Sequence, residues 1–193
     1  MSNRKLLLSL FAVSSLALTA CTNDDSEDES KDTTALVEDQ VDQEDTEADT
    51  YTNLTMQAVD AFDTFMAEYP DAKISKVQLD KDLGDFVYKV EGFMENNEYE
   101  LEIDPMTAEI LKKEEDTDDD QDEIEISREQ VEKVNDLVDN SLTDAGEDAE
   151  LEEWTLDEED GQIKLEVEVK VDGLTDTEYS YLIDSGELIE KDD

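Results

Sequence analysis

The sequence predicts an α+β fold of two tandem small domains, each one helix packed on a three- to four-stranded antiparallel sheet. Three observations predict it. Two stretches of helical periodicity are each followed by alternating apolar and polar residues. These elements run in the same order in both stretches. Residues 114–125 lie between them, with 9 acids in 12 positions and no base, which reads as an acidic linker.

In the first segment, Leu54, Ala58, Val59, Phe62, Phe65, Met66 and Tyr69 recur at helical spacing and form one apolar face. Pro70 ends this helix because its ring lacks the N–H that the next turn needs. Strands follow as Ile74, Val77 and Leu79, then Phe86, Tyr88 and Val90, then Tyr99, Leu101 and Ile103, with the short pair Ile110 and Leu111 last. Gly84 and the pair Asn96, Asn97 stand where hairpins should turn.

The second segment opens on Ser127 and Gln130, a capping-box pattern. Val131, Val134, Leu137, Val138 and Leu142 give its helix an apolar face. Leu151, Trp154 and Leu156 mark the next strand, and Ile163, Leu165, Val167, Val169 and Val171 the longest one. Tyr179, Tyr181 and Ile183 follow, then Leu188 and Ile189. Asp160-Gly161 and Asp172-Gly173 are two-residue hairpin signals. The endings align directly, Tyr99 with Tyr179 and Asp104 with Asp184, and Glu109 and Glu187 lead the final strands. The domains so read are 53–113 and 126–193. Trp154 and the tyrosines Tyr88, Tyr99, Tyr179 and Tyr181 are expected in the core or packed on the sheet.

The N-terminus differs from the rest. Arg4 and Lys5 precede an apolar run, residues 6–18, too short to span a bilayer as an ordinary helix. The run closes on Leu18, Thr19, Ala20 and Cys21, which resembles the lipobox of bacterial lipoproteins at all four positions. The resemblance implies that residues 1–20 are a removed signal peptide and that Cys21 carries the lipid. Cys21 is the one cysteine of the chain, so no internal disulfide is possible. Residues 21–52 read as a disordered acidic tether, with 13 acids and one lysine between positions 22 and 50. The expected location is therefore extracytoplasmic, on the outer face of the cell membrane.

The formal net charge is −46, and loss of residues 1–20 leaves 12 basic and 60 acidic residues, a net −48. Such a charge excludes nucleic acid, whose affinity comes from Lys and Arg contacts to phosphate. It equally disfavours peripheral binding to anionic lipid headgroups, so membrane attachment falls to the lipid on Cys21. It suits a saline or alkaline habitat, where counterions screen the repulsion. Partners of this sign are cationic surfaces, metal ions or a protein with a basic cleft.

There is no histidine, which removes His-based triads and ordinary zinc sites. No Gly-rich phosphate loop occurs among the six glycines. Asp116, Asp118 and Asp120 have the spacing of an EF-hand start, yet Gln121 replaces its glycine and Ser127 its final glutamate. Weak, diffuse Ca²⁺ association is the most that spacing supports. No catalytic residue, metal ligand or cofactor is expected.

Tyr69-Pro70, the strand from Ile74 to Leu79, Tyr88 to Glu91, Tyr99 to Asp104 and Glu109 to Leu111 together resemble the PepSY domain family. The resemblance covers 53–113 well and 126–191 less well. The second copy lacks the proline, has a longer central hairpin and is one or two residues shorter at its final turn. Ala108 stands where the family has glycine, which Gly186 keeps. The resemblance implies a non-enzymatic module that binds and restrains a secreted peptidase or cell-wall enzyme. Two other roles fit the composition: a lipid-tethered polyanion that associates cations, and an accessory or sensor subunit of a membrane complex.

Overall fold

The structure is a computed structural model that describes residues 51–82, 84–117, 124–171, 173 and 175–192, all in one compact unit. After a 3-10 turn at Tyr51–Asn53, helix α1 spans Ala58–Glu68. It starts later than the periodicity suggests, because Gln57 and Asp60 form a capping box there, with Gln57 N–H donating to Asp60 Oδ2 at 2.9 Å. Strands β1 (Lys73–Asp82), β2 (Asp85–Met94), β3 (Asn97–Ile103) and β4 (Ile110–Thr117) follow. The capping box at Ser127 and Gln130 opens α2 (Arg128–Val131), a single turn, before α3 (Val134–Ala145). Strands β5 (Ala149–Glu159), β6 (Gln162–Val171), β7 (Thr175–Leu182) and β8 (Glu187–Asp192) complete the chain.

All eight strands make one antiparallel sheet in the order β4-β3-β2-β1-β5-β6-β7-β8. This differs from the expected pair of separate small domains. The first strands of the two halves pair directly, Val77 with Leu156, Gln78 with Thr155 and Leu79 with Trp154. Of the expected linker 114–125, residues 114–117 belong to β4, and Ile126 just after it is buried with its N–H on Ile74 O at 2.7 Å. The physical reason is size. A half of about 60 residues buries too little apolar surface to stand comfortably alone, and a bare β1 edge would expose unpaired backbone groups. Joining the two edges satisfies both needs.

Among the described residues the helices cover one face, α1 on β1 and β2, and α3 on β5 and β6. Under them lies one continuous core that includes Phe65, Ile74, Leu79, Tyr88, Trp154 and Tyr179, each under 2% exposed. Across the helix layer Arg128 donates two hydrogen bonds of 2.9 Å to Asp63, and Asn135 accepts from Ala58 N–H and donates to the Tyr51 hydroxyl. Burial pushes Tyr51 up to about 12.

Register gives the correspondence between the halves. A residue n of β1 or β2 matches n + 77 in β5 or β6, because Leu79 pairs with Tyr88 as Leu156 pairs with Leu165. In β3 and β4 the offset is 78: Leu101 faces Val90 as Tyr179 faces Val167. The alignment of Tyr99 with Tyr179 and Asp104 with Asp184 is therefore shifted by two residues, and the final turns are equally long. Ala108 N–H bonds Asp104 O and Gly186 N–H bonds Leu182 O, both at 2.8 Å. Asp104 closes its own turn, accepting from Met106 and Thr107 N–H, whereas Asp184 accepts from Gln130 Nε2.

Candidate binding face

Alternation along each strand sends the residues between core positions to the face that no helix covers. Register sets them in rows across the strands. In the first half Lys76, Glu91, Glu100 and Glu114 lie side by side on β1 to β4. The corresponding row in the second half is Glu153, Glu168, Glu178 and Asp192 on β5 to β8. Strands lie about 4.8 Å apart, so each row is a line of charges at that spacing. Like charges directly opposite one another destabilise a sheet.

Two lysines bridge the acids of the first row. Lys76 Nζ lies 3.7 Å from Glu91, and Lys112 Nζ lies 3.1 Å from both Glu100 and Glu102 and 2.9 Å from Glu114. In the second half Glu153 occupies the position of Lys76, and Glu190 that of Lys112. Among the described residues no salt bridge within 4.0 Å reaches Glu153, Glu168, Glu178 or Asp192. Lys170, the nearest lysine of the strand, bridges Glu152 and Asp176 instead, at 3.5 Å each.

The carboxylates register this crowding. Partial burial, then Asp80 and Glu168, hold Glu153 above the usual carboxylate range. Glu168 is raised by burial and by Asp176, Glu152 and Glu178, and Glu166 by burial and Glu178. Burial also raises Asp157 against the pull of Lys76. A cleft of about 280 Å³ lined by Ser75, Lys76, Glu91, Ile124, Asp157 and Glu158 opens between the halves.

The sheet edges are blunted. Register slips at Leu111 on β4 and at the corresponding Ile189 on β8, leaving both bulged residues exposed. Lys113 beside the first bulge is tied to Glu68 at the end of α1, and Lys191 beside the second to Asp144 of α3 at 2.8 Å.

Trp154, Tyr88, Tyr99, Tyr179 and Tyr181 all lie in the core, Tyr88 edge-on to Trp154 at 6.0 Å. Cys21, the expected lipidation site, lies outside the described residues, as do Asp118 and Asp120 of the EF-hand-like run; Asp116 is in β4. Among the described residues no group of three His, Cys, Asp or Glu side chains is placed to hold a metal ion, and no helix is long and apolar enough to cross a membrane. The second acidic row escapes a reading of the sequence strand by strand. A two-residue turn at Asp172-Gly173, the turn its sequence suggests, would set Glu168 opposite Thr177, whereas the observed pairing of Val171 with Thr175 sets it opposite Glu178.

Among curated proteins none matches this chain. A crystal structure of a candidate lipoprotein from Clostridium difficile 630 is similar in fold, with a TM-score of 0.54 and 23% identity, over 72% of this chain and 93% of that one. That coverage exceeds either half of the sheet, so the likeness spans both. Residues 57–114, which hold α1 and most of the first four strands, match the PepSY family, described as a peptidase propeptide and YPEB domain.

Proposed function

We propose that the chain is a non-enzymatic binding module, held at the outer face of the membrane by lipid on Cys21, that restrains an extracytoplasmic peptidase or cell-wall enzyme. The match of residues 57–114 to a peptidase-propeptide family carries this reading. The lipobox at 18–21 supports the anchor, and the register correspondence supports reading the second half as another copy of the same domain. Restraint would work by occlusion. A rigid sheet backed by one continuous core covers the enzyme's cleft, and acidic side chains complement a basic rim.

The test passes the organism's secreted proteins over immobilised chain from residue 51 onward, then titrates the same fragment into any captured enzyme. A captured peptidase or wall hydrolase that loses activity at stoichiometric fragment supports the reading. Capture of neither overturns it in favour of a lipid-tethered polyanion or an accessory subunit.

A further inference from the structure

We propose that the uncovered face of β5 to β8 is the docking surface for a lysine- and arginine-rich protein surface, centred on the row Glu153, Glu168, Glu178 and Asp192. The inference deepens the binding-module reading and rests on it. Its first support is the contrast between the halves. The same fold carries Lys76 in the first row and Lys112 beside it on β4, and these two lysines bridge its acids. At the two corresponding positions the second half carries Glu153 and Glu190, and the four acids of its row stand in line across four strands with no salt bridge to any of them among the described residues, Lys76 and Lys170 acting on Glu153 and Glu168 only from farther away. Nothing in folding requires this, since opposed like charges weaken strand pairing.

The second support is accessibility. The helix layer closes the other face, and bulges with tethered lysines guard both edges. Among the described residues, the face without helices therefore remains as the broad surface open to a partner. The third support is complementarity. Glu153 and Glu168 are partly buried on the sheet, where a docking cation meets less solvent screening than at a side-chain tip. Cations on the partner spaced about 5 Å apart would match the row. An anionic membrane has the wrong sign.

The test uses the chain from residue 22 onward with octalysine as probe, followed by isothermal titration at fixed moderate salt. Glu153→Lys with Glu190→Lys copies the lysines of the first half into the second. Asp139→Lys with Glu147→Lys makes the same charge change on exposed positions of α3 and the loop after it. The first pair should weaken octalysine binding about tenfold and the second less than about threefold. Glu168→Gln with Glu178→Gln, closer in shape, should act in the same direction as the first pair. Melting curves check folding, and relief of repulsion should leave the row variants at least as stable as the parent. Equal loss in both lysine pairs, or no loss in the row variants, overturns the proposal. Failure of the wider reading looks different: the row still binds octalysine, yet no peptidase or wall enzyme is restrained. A restrained enzyme indifferent to Glu153→Lys with Glu190→Lys sinks this proposal alone.

Discussion

Phe65 of α1 lies against Gly92 of β2 so closely that a Cβ on Gly92 would sit 2.8 Å from the ring Cζ and 2.5 Å from Lys73 O. The glycine is the hollow into which the first helix seats. Gly92→Ala should therefore destabilise the unit by about 2 kcal/mol, through displacement of the helix or loss of pairing with β1. Urea denaturation measures it, and an unchanged midpoint would show that the contact is slack.

Ala108 has φ 58, while Gly186 at the corresponding turn has φ 68. An L-residue with a Cβ is strained there by about 1 kcal/mol, and glycine releases that strain but adds entropy to the unfolded chain. Ala108→Gly should thus raise stability by about 0.5 kcal/mol. A fall in the melting temperature would mean that the turn relaxes the strain in another way.

Ser141 Oγ donates to Leu137 O at 3.1 Å and lies 2.9 Å from the Tyr181 hydroxyl, all buried. The tyrosine is then the donor in the second bond. Ser141→Ala strands that hydroxyl and should cost about 1 kcal/mol, whereas Ser141→Ala with Tyr181→Phe should cost less than the sum of the single changes. A double-mutant cycle with no coupling would remove this bond from the account.

Acid should stabilise the fold over a definite window. Glu153, Asp157, Glu166 and Glu168 hold protons more tightly folded than unfolded. Stability present below the ordinary carboxylate range is lost as pH rises through their raised values. Asp63 and Asp144 run the other way, lowered by Arg128 and Lys191, and so does Asp104, whose burial is outweighed by Met106 and Thr107. Their contribution is lost only as pH falls below the usual range. At low salt the melting temperature should be higher near about pH 5.5 than at about pH 8. Glu153→Gln with Glu168→Gln, or about 1 M salt, should shrink that gap. A gap that survives both would place the titrating groups elsewhere.

Much of the fold was legible. The apolar face of α1, the Ser127–Gln130 capping box, the strands and the turn at Asp160-Gly161 all follow from local periodicity and turn chemistry, and Asp160 and Gly161 both take positive φ. The break between α2 and α3 was not legible, since the apolar spacing continues through it. Nor was the bulge at Leu111 and Ile189, because a slip of one residue on an edge leaves no mark in composition. The two-residue error in aligning Tyr99 with Tyr179 has a plain cause: a strand presents one face every second residue, so a shift of two preserves the pattern.

By itself the sequence determined what each segment is: the helices, the alternating strands, the acidic charge and the resemblance of its N-terminus to a lipobox. Those properties depend on neighbours a few residues apart. Only the tertiary structure decided that the halves share one sheet and that four acids form a row with no salt bridge among the described residues. Both depend on Val77 and Leu79 meeting Leu156 and Trp154 across the β1–β5 seam, and on register set by packing over the whole core. Long-range pairing is chosen by which apolar faces bury one another, and no local pattern carries that choice.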